Sequence, residues 1–307
     1  MTSKNTAQLK AAVATLSWGA SFVATKIALR ECAPLTIIWI RFLLGLPVLF
    51  LLAAFSEREH LRKEGFSLGC LRSALPERRE WLPLTVLGFL GVPFHHLLQS
   101  TGLRTAQAAT SAWIVSTIPV FIAILGRLFL KERFGKRGVL GLLLAATGVL
   151  TVVTRGHPER LLLLQDLGLG DILVLLSAVN WAVFSVASRK LLGSSGPGKS
   201  TFWVMALGWL QTSLLFVFSD HVRELVALSG AVWMSLLFLG IFCTGLAYAF
   251  WYDALRTLPA SKVGVFMYLN PLSATVVAAV FLGEVLTGAT LTGVAAIFLG
   301  VWCVNSR

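Results

Sequence analysis

Ten apolar stretches, each near 20 residues, divide this chain from end to end. Their approximate limits are 11–29, 34–54, 82–101, 106–129, 137–154, 170–190, 201–219, 231–251, 261–282 and 287–305. Each is long enough to cross about 30 Å of hydrocarbon as a helix. Backbone polar groups in lipid need internal partners, so the expected fold is an all-α integral membrane protein of ten transmembrane helices, with the lipid bilayer as its first partner. Composition agrees: 56% of the 307 residues are hydrophobic and 13% charged, against about a quarter charged in an ordinary soluble domain. The formal net charge is +12. Its Lys and Arg residues lie between the apolar runs and form no stripe of their own, so no nucleic-acid partner is expected. Cys32, Cys70, Cys243 and Cys303 show no paired metal-ligand spacing, so neither a metal site, a cofactor nor a disulfide framework is expected. The first run follows Lys4 and Lys10 and lacks a small-residue cleavage pattern, which predicts a retained span rather than a removed signal peptide.

Charge fixes the expected direction. With a cytoplasmic N-terminus, the inside segments collect nineteen Lys and Arg residues and the outside segments six, leaving Arg41 within the second run. That bias predicts a multi-pass protein of a bacterial inner membrane with both termini in the cytoplasm. The one long polar segment, SEREHLRKEGFSLGCLRSALPERRE, lies in the loop 55–81 and is expected to be cytoplasmic.

The chain also repeats itself. IPVFIAILGRLFLKE from Ile118 to Glu132 matches NPLSATVVAAVFLGE from Asn270 to Glu284 at an offset of 152 residues. The same offset aligns Leu103–Thr105 with Leu255–Thr257, Ala108 with Ala260, Gly141 with Gly293 and Gly148 with Gly300. Two copies, 1–155 and 156–307, are therefore expected. Five spans per copy is an odd number, so the second copy enters the membrane from the opposite side. Inverted-topology repeats of this kind underlie alternating access in many secondary transporters.

Within that frame Pro119 and Pro271 either shape the bundle or open a backbone gap beside a cavity. Glu132 and Glu284 lie just past their apolar runs, where helix-terminal interactions are expected rather than proton transfer. Polar and aromatic groups deep in the runs are candidate substrate contacts: Trp18, Ser21, His95, Gln99, Trp113, Trp181, Tyr248, Tyr252 and Tyr268. Ser and Thr also bond their own helices, and Trp81, Trp233 and Trp302 read as interfacial anchors. His95 and His96 are about 100° apart on a helix, which predicts that only one faces the cavity. Arg41 is expected to snorkel to the outer boundary, the alternative being attraction of a substrate carboxylate. All fourteen Asp and Glu residues fall in loops or near run ends. A carboxylate relay is thus missing, which leaves downhill movement, exchange or a histidine-borne proton, with the coupling ion open. Such a cavity suits a small amphipathic solute, and its rings could hold an ammonium group.

Taken together, WGASF at Trp18–Phe22, PLTIIWIRFLLGL at Pro34–Leu46, the paired proline-to-glutamate segments and the glycine-centred last helices resemble the drug/metabolite transporter superfamily. The resemblance is to its EamA type with two tandem domains, and within that to YddG-type amino-acid exporters. It implies a ten-helix carrier, monomeric, exporting a small-molecule substrate, an aromatic or neutral amino acid. A sugar derivative, a nucleobase or a hydrophobic cation is the alternative cargo. One departure stands out: Ala182 follows Trp181 where Gly19 follows Trp18, so the two first helices are expected to meet substrate differently. No reactive constellation points to a membrane enzyme.

Overall fold

Helices follow the apolar runs, with changes at their ends that the sequence explains. The computed structural model describes residues 3–64, 75–106, 111, 114–132, 135–154, 157, 168–191, 197–226, 228–282 and 288–305. Its helices are α1 (Ser3–Ala28), α2 (Pro34–Glu64), α3 (Trp81–Thr105), α4 (Ile118–Phe129) and α5 (Lys136–Thr154). They continue with α6 (Leu169–Leu191), α7 (Pro197–Val217), α8 (Gly230–Thr257), α9 and α10 (Gly288–Asn305). α9 begins as Ala260–Gly264, passes through a 3₁₀ turn at Val265–Tyr268 and resumes as Leu269–Leu282. α2 outlasts its apolar run by about ten residues, through a stretch rich in the strong helix formers Glu, Arg, Leu and Lys.

Among the described residues, six helices are long and apolar enough to cross a membrane, namely α1, α2, α3, α6, α7 and α8. Two shorter apolar helices are Ile118–Phe129 and Leu291–Val304. The fourth and ninth runs, expected as continuous spans, are interrupted. A turn at Ser116 and Thr117 precedes α4, and the 3₁₀ turn precedes the second part of α9. Pro119 therefore lies in the first turn of α4 and Pro271 is the third residue of Leu269–Leu282. In a first helical turn the missing N–H would have had no partner anyway, so both prolines start helical segments at little cost.

The exterior differs from that of a water-soluble protein. Arg41, His95, His96, Ser177 and Asn180 are buried, while Leu82, Leu128, Phe129, Leu140 and Phe218 are exposed. Trp81, Trp233 and Trp302 are exposed too. An apolar exterior, with polar groups kept inside a largely apolar core, suits hydrocarbon as solvent.

Packing is paired throughout. α1 packs on α8 and α9 as α6 packs on α3 and α4; α2 packs on α8 as α7 packs on α3. α2·α7, α4·α9 and α5·α10 each join matching helices. A second offset, 163 residues, relates Trp18 to Trp181, Pro34 to Pro197 and Gly45 to Gly208. The close approaches obey the same pairing. A Cβ on Gly141 would lie 2.7 Å from the carbonyl oxygen of Gly300, and one on Gly148 2.6 Å from that of Gly293. Even backbone irregularity recurs: α3 widens into a π-helical segment at Leu90–Phe94, and α8 does so at Phe238–Leu246, which contains the equivalent of the first segment.

Candidate functional site

Side chains from seven of these helices, with Val115 just ahead of the turn before α4, line a cavity of about 30 Å³. That is room for one or two waters, far below the volume of a small-molecule site. Trp18, Ser21, His95, Gln99 and Trp181 line it, and so does Tyr248. The rings close on each other: Trp18 stands 5.0 Å from Trp181, 5.5 Å from Tyr248 and 5.3 Å from Trp251, centroid to centroid.

π-helical turns release backbone carbonyls, and side chains take them. Trp18 Nε1 donates to the Cys243 carbonyl at 2.8 Å, Asn180 Nδ2 to Leu90 at 2.8 Å and Tyr248 Oη to Gly91 at 3.2 Å. The irregular backbone thus aims the aromatic wall, in keeping with the frequent use of π-turns at functional sites. Ser21 instead turns back onto its own helix, donating to the Trp18 carbonyl at 2.6 Å.

His95 and His96 both line the cavity, against the expectation of one. α3 sits between neighbours on two sides: His95 packs on Trp181 of α6 at 4.8 Å, while His96 meets Tyr248 of α8 and Arg41 of α2. Partners set their tautomers. His95 Nδ1 lies 3.2 Å from the Ser177 carbonyl, so it carries the hydrogen and donates. His96 Nδ1 faces the Arg41 guanidinium at 3.5 Å and must accept, so its Nε2–H donates to Tyr248 Oη at 3.0 Å. Arg41, His96, Tyr248 and the Gly91 carbonyl form one directed chain of donors and acceptors.

Arg41 does not snorkel. It is 3% exposed and lines the cavity, with Nε donating to Thr244 Oγ1 at 3.0 Å. Its depth in an apolar run was the signal for this placement. Asn270, Met267, Phe22, Val115 and Ile118 also line the cavity. Asn270 stood out as a polar residue beside Pro271, whereas apolar residues facing a cavity look the same in sequence as those facing a neighbouring helix.

Other candidates lie apart. Tyr252 is buried against Phe184 and lines a separate recess of about 430 Å³ with Glu132 and Arg189. Tyr268 is buried in the 3₁₀ turn, its hydroxyl unpaired and away from the cavity lining. Trp113 and Glu284 lie outside the described residues.

Glu132 works at a helix end. Lys131 adopts a left-handed conformation, φ 53°, after α4. The Glu132 N–H returns to the Gly126 carbonyl at 3.2 Å, closing the helix end. The side chain then reaches the start of α9, accepting from the N–H groups of Ala260 at 2.7 Å and Ser261 at 3.0 Å and from the Ser261 hydroxyl at 2.5 Å. A carboxylate belongs at a helix N-terminus. Arg189 Nε stands 3.5 Å from the same carboxylate, and Arg189 also donates to the Leu255 carbonyl.

The opposite end has its own caps and a recess of about 450 Å³. Glu224 accepts from the Ala33 N–H at 2.9 Å and the Thr36 hydroxyl at 2.7 Å, and pairs with His221 at 2.8 Å. Burial pushes its carboxyl up, but these hydrogen bonds and His221 together hold it below the usual range. Glu31 accepts from the Ser229 N–H at 2.8 Å, which lowers its carboxyl as well. Burial, with Glu224 and Glu31 nearby, pushes the Cys32 thiol up to about 11. Among the described residues, no group of three His, Cys, Asp or Glu could hold a metal ion.

The sequence was compared with known proteins. The EamA-like transporter family matches residues 5–154 and 168–306. An uncharacterized transporter of Archaeoglobus fulgidus is 29% identical over 273 residues, 89% of this chain and 88% of the relative. A probable amino-acid metabolite efflux pump of Salmonella typhimurium is 27% identical over 297 residues, 93% of this chain and 90% of the relative. A solved crystal structure, described only as that of a protein, superposes with a TM-score of 0.71 at 21% identity over 97% of this chain and 96% of the other. That likeness concerns the fold.

Proposed function

The chain belongs to the EamA-like transporter family, and on that premise we propose that it exports aromatic or neutral amino acids by alternating access. It is a multi-pass membrane transporter and not an enzyme. In the proposal, ten helices form two inverted repeats, 1–155 and 156–307, inserted in a bacterial inner membrane with both termini in the cytoplasm. Two matched segments, the paired helix contacts and the recurring π-turn support the repeats. The Lys and Arg bias supports the direction.

One observation carries the substrate reading: a closed cavity between the halves, walled by Trp18, Trp181 and Tyr248 and edged by Arg41, His95, His96 and Asn270. Rings suit an apolar or aromatic side chain, and the polar edge suits the ends of an amino acid. The relative from Salmonella typhimurium is a probable amino-acid metabolite efflux pump, which supports this reading. At about 30 Å³ the cavity is too small to hold an amino acid without widening. The recess at Glu132 and Arg189 and the recess at Glu31 and Glu224 mark the two ends that would open in turn. Pro119 and Pro271, each after a break in its helix, would be the hinges, with Glu132 and Glu284 as helix-end locks. The chain would act as a monomer. Among the described residues no carboxylate lines the cavity, so a coupling proton would travel on His95. His96 is the poorer carrier, since its Nδ1 stands 3.5 Å from the Arg41 guanidinium.

Purified protein in proteoliposomes tests this with labelled phenylalanine, leucine and tryptophan. Saturable flux competed by unlabelled amino acid is expected. Absence of flux for all neutral and aromatic amino acids would remove the substrate class. A pH gradient is expected to change the rate, and His95→Ala is expected to abolish that dependence.

A further inference from the structure

We infer that Arg41 holds the carboxylate of the transported solute, so that the cavity selects carboxylates over the corresponding amides and amines. This rests on the transport reading and names the group that the site recognises.

A guanidinium keeps its charge in a protein and presents donors in a rigid fork matched to a carboxylate. Arg41 is 3% exposed, and its partners are Thr244 Oγ1 and His96 Nδ1, neither of which brings negative charge. Its Nη2 is buried without a partner. Lys10 with Asp253, Arg79 with Glu77, Arg189 with Glu132 and His221 with Glu224 pair elsewhere, and among the described residues no carboxylate answers Arg41. A buried cation lacking a counter-ion is among the costliest groups a membrane protein can hold. An anion that arrives with the solute resolves that cost.

Two further unpartnered groups line the same cavity, Asn270 Oδ1 and Trp181 Nε1. The first can accept from an ammonium and the second can donate. Arg41 is the one Lys or Arg among the lining residues, which matches a monoanionic carboxylate better than a phosphate carrying up to two charges. The rings of Trp18 and Tyr248 then meet the rest of the solute.

The test uses the full chain in proteoliposomes. Labelled phenylalanine flux is competed with 3-phenylpropionate, phenylalaninamide and phenethylamine. The carboxylate competitor is expected to act at concentrations at least tenfold below the amide and the amine. Arg41→Met is expected to weaken phenylalanine at least tenfold and to erase the preference, while Arg41→Lys, a point charge without the fork, keeps part of it. Tryptophan fluorescence of the same proteins in detergent reads 3-phenylpropionate binding without transport. If no amino acid is transported yet 3-phenylpropionate binds the native chain at least tenfold tighter than Arg41→Met, the amino-acid reading fails and the role of Arg41 stands. If Arg41→Met does not fold, the native chain and Arg41→Lys decide. Equal competition by acid, amide and amine in the native chain overturns the inference, as does an unchanged preference in a folded Arg41 variant or failure of the native chain to bind any carboxylate probe.

Discussion

Arg41 in α2 and Val204 in α7 occupy matching places at the 163-residue offset, and Gln99 in α3 matches Trp251 in α8 at the 152-residue offset. His95 and His96 likewise match Ala247 and Tyr248. The first half thus supplies a guanidinium, two imidazoles and an amide where the second supplies an isopropyl group, a methyl group and two aromatic rings. Around this difference the frame is even: Gly45 approaches Gly240 and Gly208 approaches Gly88, each pair related to the other by the two offsets. Helix packing in lipid needs small residues at both contacts, whereas a bound solute has two unlike ends. Symmetry is kept where backbones touch and lost where a solute would sit.

The sharpest way to break the comparison is to impose the polar residue on both halves. Val204→Arg places a second guanidinium at a fully buried site, and a charge at a membrane-helix centre costs about 2.5–3.5 kcal/mol. Loss of monodisperse protein by size-exclusion chromatography is the expected outcome. Wild-type yield would mean that the two sides differ less than their residues do.

The frame itself is tested at α5 and α10. A Cβ on Gly300 would lie 2.5 Å from the Ala145 amide nitrogen, and one on its counterpart Gly148 2.8 Å from that of Ile297. Gly148→Ala and Gly300→Ala should each cost about 1–3 kcal/mol by overpacking. Thermal unfolding should show two similar losses, and a large loss in only one would break the pairing.

The cavity's polar edge crosses to the aromatic half through His96 and Tyr248. Tyr248→Phe removes the bond from His96 and the bond to the Gly91 carbonyl, at about 1–3 kcal/mol for the groups left unpaired. A Tm fall with the fold intact by circular dichroism is the expected result. Glu132→Ala is predicted to cost about 1 kcal/mol as a lost helix cap, with Glu132→Gln between it and the native chain, again read from Tm.

The smallest effect lies at the far end. Because the Glu224 carboxyl is held below 4.5, its contribution is complete above that pH and is lost as pH falls through the lowered value. Stability should therefore be flat from pH 7 down to about 4.5 and decline below it, and Glu224→Gln should flatten part of the decline. A decline centred above pH 6 would count against Glu224 as its source.

Length and polarity of the apolar runs made the membrane fold and the helix order legible without a structure, because a span needs a set number of apolar residues. Trp18, His95, Gln99, Trp181 and Tyr248 were legible as polar or aromatic groups too deep to be idle. Their convergence was not, since a helix face is settled only by its neighbours. The same limit explains the two errors of placement. Arg41 could reach outward or inward from one backbone position, and only Thr244 and His96 across the interface turn it inward. The two histidines reach the cavity from adjacent sides of α3, His95 against Trp181 and His96 against Tyr248 and Arg41. Sequence alone determined that this chain lives in lipid and carries polar groups inside, and its recurring offsets made a repeat the expectation. Tertiary packing decided which of those groups meet and left Arg41 without an acidic partner, because contacts between distant helices depend on interfaces that no local run of residues encodes.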